Sequence, residues 1–119
     1  MPREIVILSP TPPDLGALLR AGVAVDGGLR VRTLSGGTVH ELCRGDGTGA
    51  TAVLSVYPAE EVLDATEVAR LLPDAPPLPQ PLWWTEALAP WDEHGQTGLA
   101  VAYELASQLG AACVVQDGT

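Results

Sequence analysis

The fold turns on the stretch LWWTEALAPWDEHGQTGLAVAYELASQLGAACVVQ, residues Leu82–Gln116. Leu82–Ala89 reads as a strand and Pro90–Gly95 as the loop behind it. Thr97 is placed to cap a helix from Gly98 to Leu109, whose buried face would carry Leu99, Ala102, Tyr103, Ala106 and Leu109. Gly110 ends that helix. Ala111–Gln116, with Cys113, Val114 and Val115, is a final strand. Strand, helix and strand in succession imply a right-handed parallel crossover.

Upstream of this unit, residues 73–81 (PDAPPLPQP) hold five prolines in nine positions. Such a segment is extended and stiff. Its overlapping P-x-x-P patterns lack the adjacent basic residues of a peptide ligand, so it reads as a rigid crossover along the surface. Pro58 is expected to open a helix over Ala59–Leu72, with Glu60 and Glu61 in the first turn favoured by the macrodipole. Val62, Ala65, Ala69 and Leu72 would form its apolar stripe, and Pro73 its stop. Before it, Leu29–Leu34, Thr38–Arg44 and Ala50–Tyr57 read as an antiparallel meander. Gly36-Gly37 is its first turn, and Gly45–Gly49 a looser second one. The chain opens with a β-branched strand, Glu4–Ser9, and a helix over Pro13–Ala21 capped by Thr11. Leu15, Leu18 and Leu19 share one face of that helix and Gly22 ends it.

The order β-α-β-β-β-α-β-α-β predicts one α/β (α+β) domain over residues 1–119. Its expected form is a two-layer sandwich of ferredoxin-like character, with a mixed sheet of five to six strands and two to three helices on one face. A chain of 119 residues with 46% apolar content is long enough for one core without disulfides or metal. Cys43 and Cys113 sit in strand-like runs and read as small buried hydrophobes of a reducing cytoplasm. Ile5–Leu8 is too short for the apolar part of a signal peptide, and no run approaches a membrane span.

Charge is one-sided. Fifteen acidic residues face six arginines, there is no lysine, and the net charge is −9. From Leu71 onward the charged residues are Asp74, Glu86, Asp92, Glu93, Glu104 and Asp117, all acidic. That field disfavours nucleic acid and anionic membranes, and suits a basic protein surface or solubility alone. The absence of lysine, asparagine and phenylalanine fits a GC-rich, actinobacterial genome.

Three tryptophans fall within nine residues, and they frame the candidate binding residues Trp83, Trp84, Glu86, Trp91, Asp92, Glu93 and His94. In a strand Trp83 and Trp84 point to opposite faces, and Glu86 shares the face of Trp84. A carboxylate against an indole is one route to the raised pKa of a general acid. Asp92-Glu93-His94 places three ligand-type side chains in a row, but zinc sites use spaced ligands on fixed elements, so the stretch reads first as an acidic loop before a helix. Neither glycine-rich turn precedes a helix, and no lysine exists for a phosphate loop. No Ser lies in a G-x-S-x-G elbow, and His40 and Cys43 would face opposite ways on their strand. The sequence thus implies no cofactor and leans away from an enzyme.

The segment WWTEALAPW (Trp83–Trp91), a helix, and ACVVQDG (Ala112–Gly118) resembles the C-terminal half of small uncharacterised actinobacterial α/β proteins. The resemblance covers about a third of the chain and implies a fold but no activity. Three functions are expected from the residues. The first is a small acidic protein-binding module, in its sharpest form an immunity- or antitoxin-type inhibitor of a basic partner. The second is a small-molecule-binding domain or small enzyme with a pocket around Trp84, Glu86 and the Trp91–His94 loop. The third is a structural subunit of a homodimer.

Overall fold

The computed structural model describes residues 2–45 and 49–116. Asp46, Gly47 and Thr48 of the second meander turn, and Asp117 and Gly118 of the C-terminal motif, lie outside the described residues. The elements are β1 (Arg3–Ser9), α1 (Leu15–Val25), β2 (Arg30–Leu34), β3 (Val39–Arg44), β4 (Thr51–Val56), β5 (Glu60–Glu61), α2 (Ala65–Leu71), β6 (Trp83–Ala89), α3 (Glu93–Leu109) and β7 (Ala112–Gln116). The strands form one sheet in the order β2-β3-β4-β6-β1-β7, with β5 also paired to β6.

The α+β sandwich expected from the sequence is present, with two corrections. First, the sheet is not mixed: every neighbouring pair among the described strands is antiparallel. The strands β6 and β7 do run parallel to each other, but β1 lies between them. The cause is the composition of β1. Ile5, Val6, Ile7 and Leu8 are all buried, so this strand needs cover on both faces and takes a place inside the sheet.

Second, the helices are not on one face. Ile5 and Ile7 pack with α1 and α3 through Leu18, Val101 and Leu105, together with Leu42 and Leu54 of the meander. Val6 and Leu8 face the other way, onto Val68 and Leu72 at α2 and onto Leu78 and Leu82 of the proline-rich crossover. The second face is therefore roofed over part of its width only.

All three α-helices among the described residues begin at an aspartate, not at Thr11, Pro58 and Thr97. Asp14 Oδ1 accepts from Ala17 N–H at 2.7 Å, Asp64 Oδ1 from Thr66 N–H at 3.0 Å, and Asp92 Oδ1 from His94 N–H at 2.9 Å. Each satisfies amide donors that the first helical turn leaves free. Consequently α2 is half its expected length, and α3 starts more than a turn early. Gly22 does not end α1, which continues to Val25. A methyl group at Gly22 would stand 3.1 Å from Leu42 Cδ2, so the glycine marks a packing contact. The apolar faces also rotate. Leu15 and Leu19 are exposed while Ala17, Leu18 and Ala21 are buried; Tyr103 is exposed while Val101 and Leu105 are buried. The first turn of the meander is a four-residue loop closed by the Leu34–Val39 pair, with Gly36 and Gly37 at φ 67° and 96°.

The closest packing is made by α3. A Cβ at Gly98 would lie 1.8 Å from the carbonyl oxygen of Val53, and one at Gly95 1.5 Å from that of Pro90. Backbone blocks both positions, so no side-chain adjustment can make room. Gly98→Ala is expected to destabilise the fold by about 3 kcal/mol, the upper end of the usual overpacking cost. Gly27→Ala, where nothing lies within 4 Å, should change little. Urea midpoints of the two variants check this.

Candidate functional site

The residues picked out by the sequence fall into two places. Trp84 and Glu86 lie on the second sheet face, the face of Val6 and Leu8, whereas Trp83 is registered with Ser9 and Glu61 on the alternate side. Trp91, Asp92, Glu93 and His94 follow the other end of β6 and start α3, which packs on the first face. The single pocket expected from Trp84, Glu86 and the Trp91–His94 loop is therefore not formed. Sheet and helix separate its two halves.

The Trp91–His94 stretch is occupied structurally. The Arg3 guanidinium lies 4.6 Å from the centroid of the Trp91 ring, a cation–π contact at the sheet end. Asp92 caps α3, and Glu93 sits in its first turn. His94 Nδ1 is 3.4 Å from Arg44 Nη1, and Arg44 Nη2 donates to Thr97 Oγ1 at 2.9 Å and to Asp26 Oδ2 at 3.3 Å. Arg44 thus joins the end of β3 to the end of α1 and the start of α3. The Asp26 carboxyl is held below its ordinary range, first by the Gly28 amide and then by Arg44. Among the described residues no three His, Cys, Asp or Glu side chains converge as they would around an ion.

The second face is built in rows across the strands. One row runs Arg32, Glu41, Ser55, Leu88, Glu4 and Gln116. Within it Glu41 accepts from Arg32 Nε at 2.8 Å and from Ser55 Oγ at 3.0 Å. The next row holds Tyr57, whose N–H donates to the Glu86 carbonyl at 2.9 Å, then Glu86, Val6 and Val114. The third holds Glu60, Trp84, Leu8 and Ala112. Trp84 stands at the boundary: it packs against the Val68–Leu72 cluster, and its Nε1 donates to Glu86 Oε1 at 3.3 Å.

Between Tyr57 and Glu60 the structure departs from the helix expected there. Pro58 does not open a helix; it interrupts a strand. Val56 pairs with Ala87 and Glu60 with Trp84, so the strand carries one residue more than its partner across this interval. A proline without an N–H is tolerated at such a bulge. The result places Glu60 beside Trp84 instead of in a solvated helical turn. A cavity of about 200 Å³ opens at the interruption, lined by Tyr57, Pro58, Glu60, Trp84 and Glu86. A smaller one of about 100 Å³, on the other side of Trp84, includes Glu4, Leu88 and Gln116. Neither is lined by Ser, Thr, Cys, His or Arg. Glu4, Glu60 and Glu86 are exposed, and the ion pairs among the described residues, Arg32–Glu41, Arg44–Asp26 and Arg70–Glu67, use none of them. Tyr57, Glu60, Glu4 and Gln116 were missed as site residues. The available signal was Asp64-Ala-Thr-Glu67, a capping pattern that starts α2 at Ala65 and frees the preceding residues for a strand.

Compared with known proteins, the chain matches no family model, no curated protein and no solved structure.

The cysteines stand on β3 and β7, with three strands between them, about 19 Å apart at the usual strand spacing and beyond disulfide reach. Both are free. Burial raises both thiols, Cys113 from 9.0 to about 11. A thiol whose pKa rises on folding contributes stability below its unfolded value and loses it as pH climbs through the folded one. The urea midpoint should therefore fall between pH 9 and pH 11, and fall less in Cys113→Ala. Equal declines in the two proteins would contradict this.

Proposed function

We propose that the protein is a small acidic protein-binding module whose recognition surface is the open part of the second sheet face, centred on Trp84. The observation that carries this reading is one half-buried indole among three exposed carboxylates, Glu4, Glu60 and Glu86, that no arginine of the described chain neutralises. Tryptophan supplies large contact area at binding hot spots, and an acidic surround steers a basic partner and sets the charge it must carry. The net charge of −9 acts in the same direction. An inhibitor of the immunity or antitoxin type, covering a basic surface of its target in the cytoplasm of an actinobacterium, is the form that size and charge favour.

The scaffold itself does not argue for function. The order β7-β1-β6-β4, with α1 and α3 on one side, gives the proposal its ferredoxin-like character, and scaffolds of that kind host unrelated activities. No helix among the described residues is long and apolar enough to cross a membrane.

The test is capture on the immobilised full chain at about 50 mM salt, followed by elution at about 0.5 M. A stoichiometric basic protein should be retained, released by salt, and absent when Glu4, Glu60 and Glu86 are all replaced by Gln. Retention unaffected by the three replacements would remove this surface from the reading. A doubled mass of the chain alone by native mass spectrometry would favour the homodimer.

A further inference from the structure

We propose that the cavity between Tyr57, Pro58, Glu60, Trp84 and Glu86 receives one alkylammonium group, the end of a lysine side chain on the basic partner. This rests on the protein-binding reading and names the contact at its centre. Two aromatic residues, Tyr57 and Trp84, line the cavity, and two carboxylates, Glu60 and Glu86, share it. Aromatic faces and carboxylates attract the same kind of guest, a cation. The lining contains no cation of this chain. Arg32 of β2 and Arg70 of α2 are engaged elsewhere, with Glu41 and Glu67.

The backbone explains why a cavity stands here. Glu60 is registered with Trp84, and Tyr57 N–H with the Glu86 carbonyl, but the extra residue at Pro58–Ala59 separates the two pairs. A regular ladder would close that gap. The interruption holds it open at about 200 Å³, ample for an ammonium and the last methylenes of its stem.

The acceptors suit an ammonium shared between Glu86 and Glu60. Glu86 Oε1 already accepts from Trp84 Nε1 at 3.3 Å, which leaves its other oxygen for a guest. A guanidinium binds best to both oxygens of one carboxylate in a parallel fork. An ammonium is a compact charge with three rotatable donors and can take one oxygen from each of two carboxylates on different strands.

The experiment follows the three indole N–H signals of the full ¹⁵N-labelled chain, assigned with Trp83→Phe and Trp91→Phe. The probes are N-acetyl-lysine, N-acetyl-arginine and N-acetyl-norleucine N-methylamides. The lysine probe should move the Trp84 signal saturably at millimolar concentration, with arginine about fivefold weaker and norleucine without saturation. Glu60→Gln combined with Glu86→Gln should weaken the lysine probe about tenfold. Tyr57→Leu should weaken it severalfold, and Tyr57→Phe should restore it, because the ring and not the hydroxyl meets the cation. These replacements are at exposed positions, so the core that holds Trp84 is left intact. Equal response to norleucine, tighter binding of arginine, or a still Trp84 signal would each overturn the proposal. A still Trp84 signal, with a basic protein nonetheless captured through the carboxylates, would sink the lysine pocket and leave the protein-binding module standing. Saturable lysine binding with no captured protein would keep the pocket's ammonium chemistry but overturn its assignment to a partner's side chain.

Discussion

Helix α3 meets the sheet through its backbone at Gly98 as well as through the side chains of Val101, Ala102, Leu105 and Ala106. Gly98 brings it against the Val53 carbonyl of β4, and Gly95 against the carbonyl of Pro90 at the end of β6. That approach fixes how close α3 lies to β4. With α3 so close, the buried line along it runs through Val101, Ala102, Leu105 and Ala106, and larger residues such as Tyr103 turn outward. Helix α1 then packs beside it with Ala17, Leu18, Ala21 and Gly22 inward. Arg44 closes the arrangement by binding Asp26, Thr97 and His94 at once.

A single tight layer on one face leaves the other face to supply what β1 still needs. Val6 and Leu8 must be covered, and the short α2 with the proline-rich crossover does this over part of the sheet. The crossover also lines an apolar cavity of about 230 Å³ with α2. Beyond that roof the sheet is open, and Trp84 stands at the edge between shelter and solvent. An indole so placed is anchored on its apolar side and presented on the other, which is the condition under which a tryptophan contributes most to recognition. The site thus depends on how much of the second face the short α2 fails to cover.

Much of this was legible in residues alone. The β-branched run at Glu4–Ser9, the alternation of the meander, the parallel direction of β6 and β7, and the left-handed Gly110 cap all follow from local chemistry. The aspartate caps were legible too, since Asp64 and Glu67 stand at capping-box spacing, but Pro58 offered a competing helix start. Local preference could not resolve that competition. Glu60 and Glu61 suit a first helical turn as well as an exposed strand, and only pairing with β6 decides between them.

The sequence by itself determined the fold class, the acidic balance and the sharing of one strand face by Trp84 and Glu86, because periodicity and charge are properties of the chain. Only the tertiary structure decided which strands are neighbours, which face each helix covers, and that Tyr57 and Glu60 stand with Trp84 while Trp91 to His94 do not. Those facts depend on contacts between residues far apart in the chain, among them the approach of Gly98 in α3 to the Val53 carbonyl of β4.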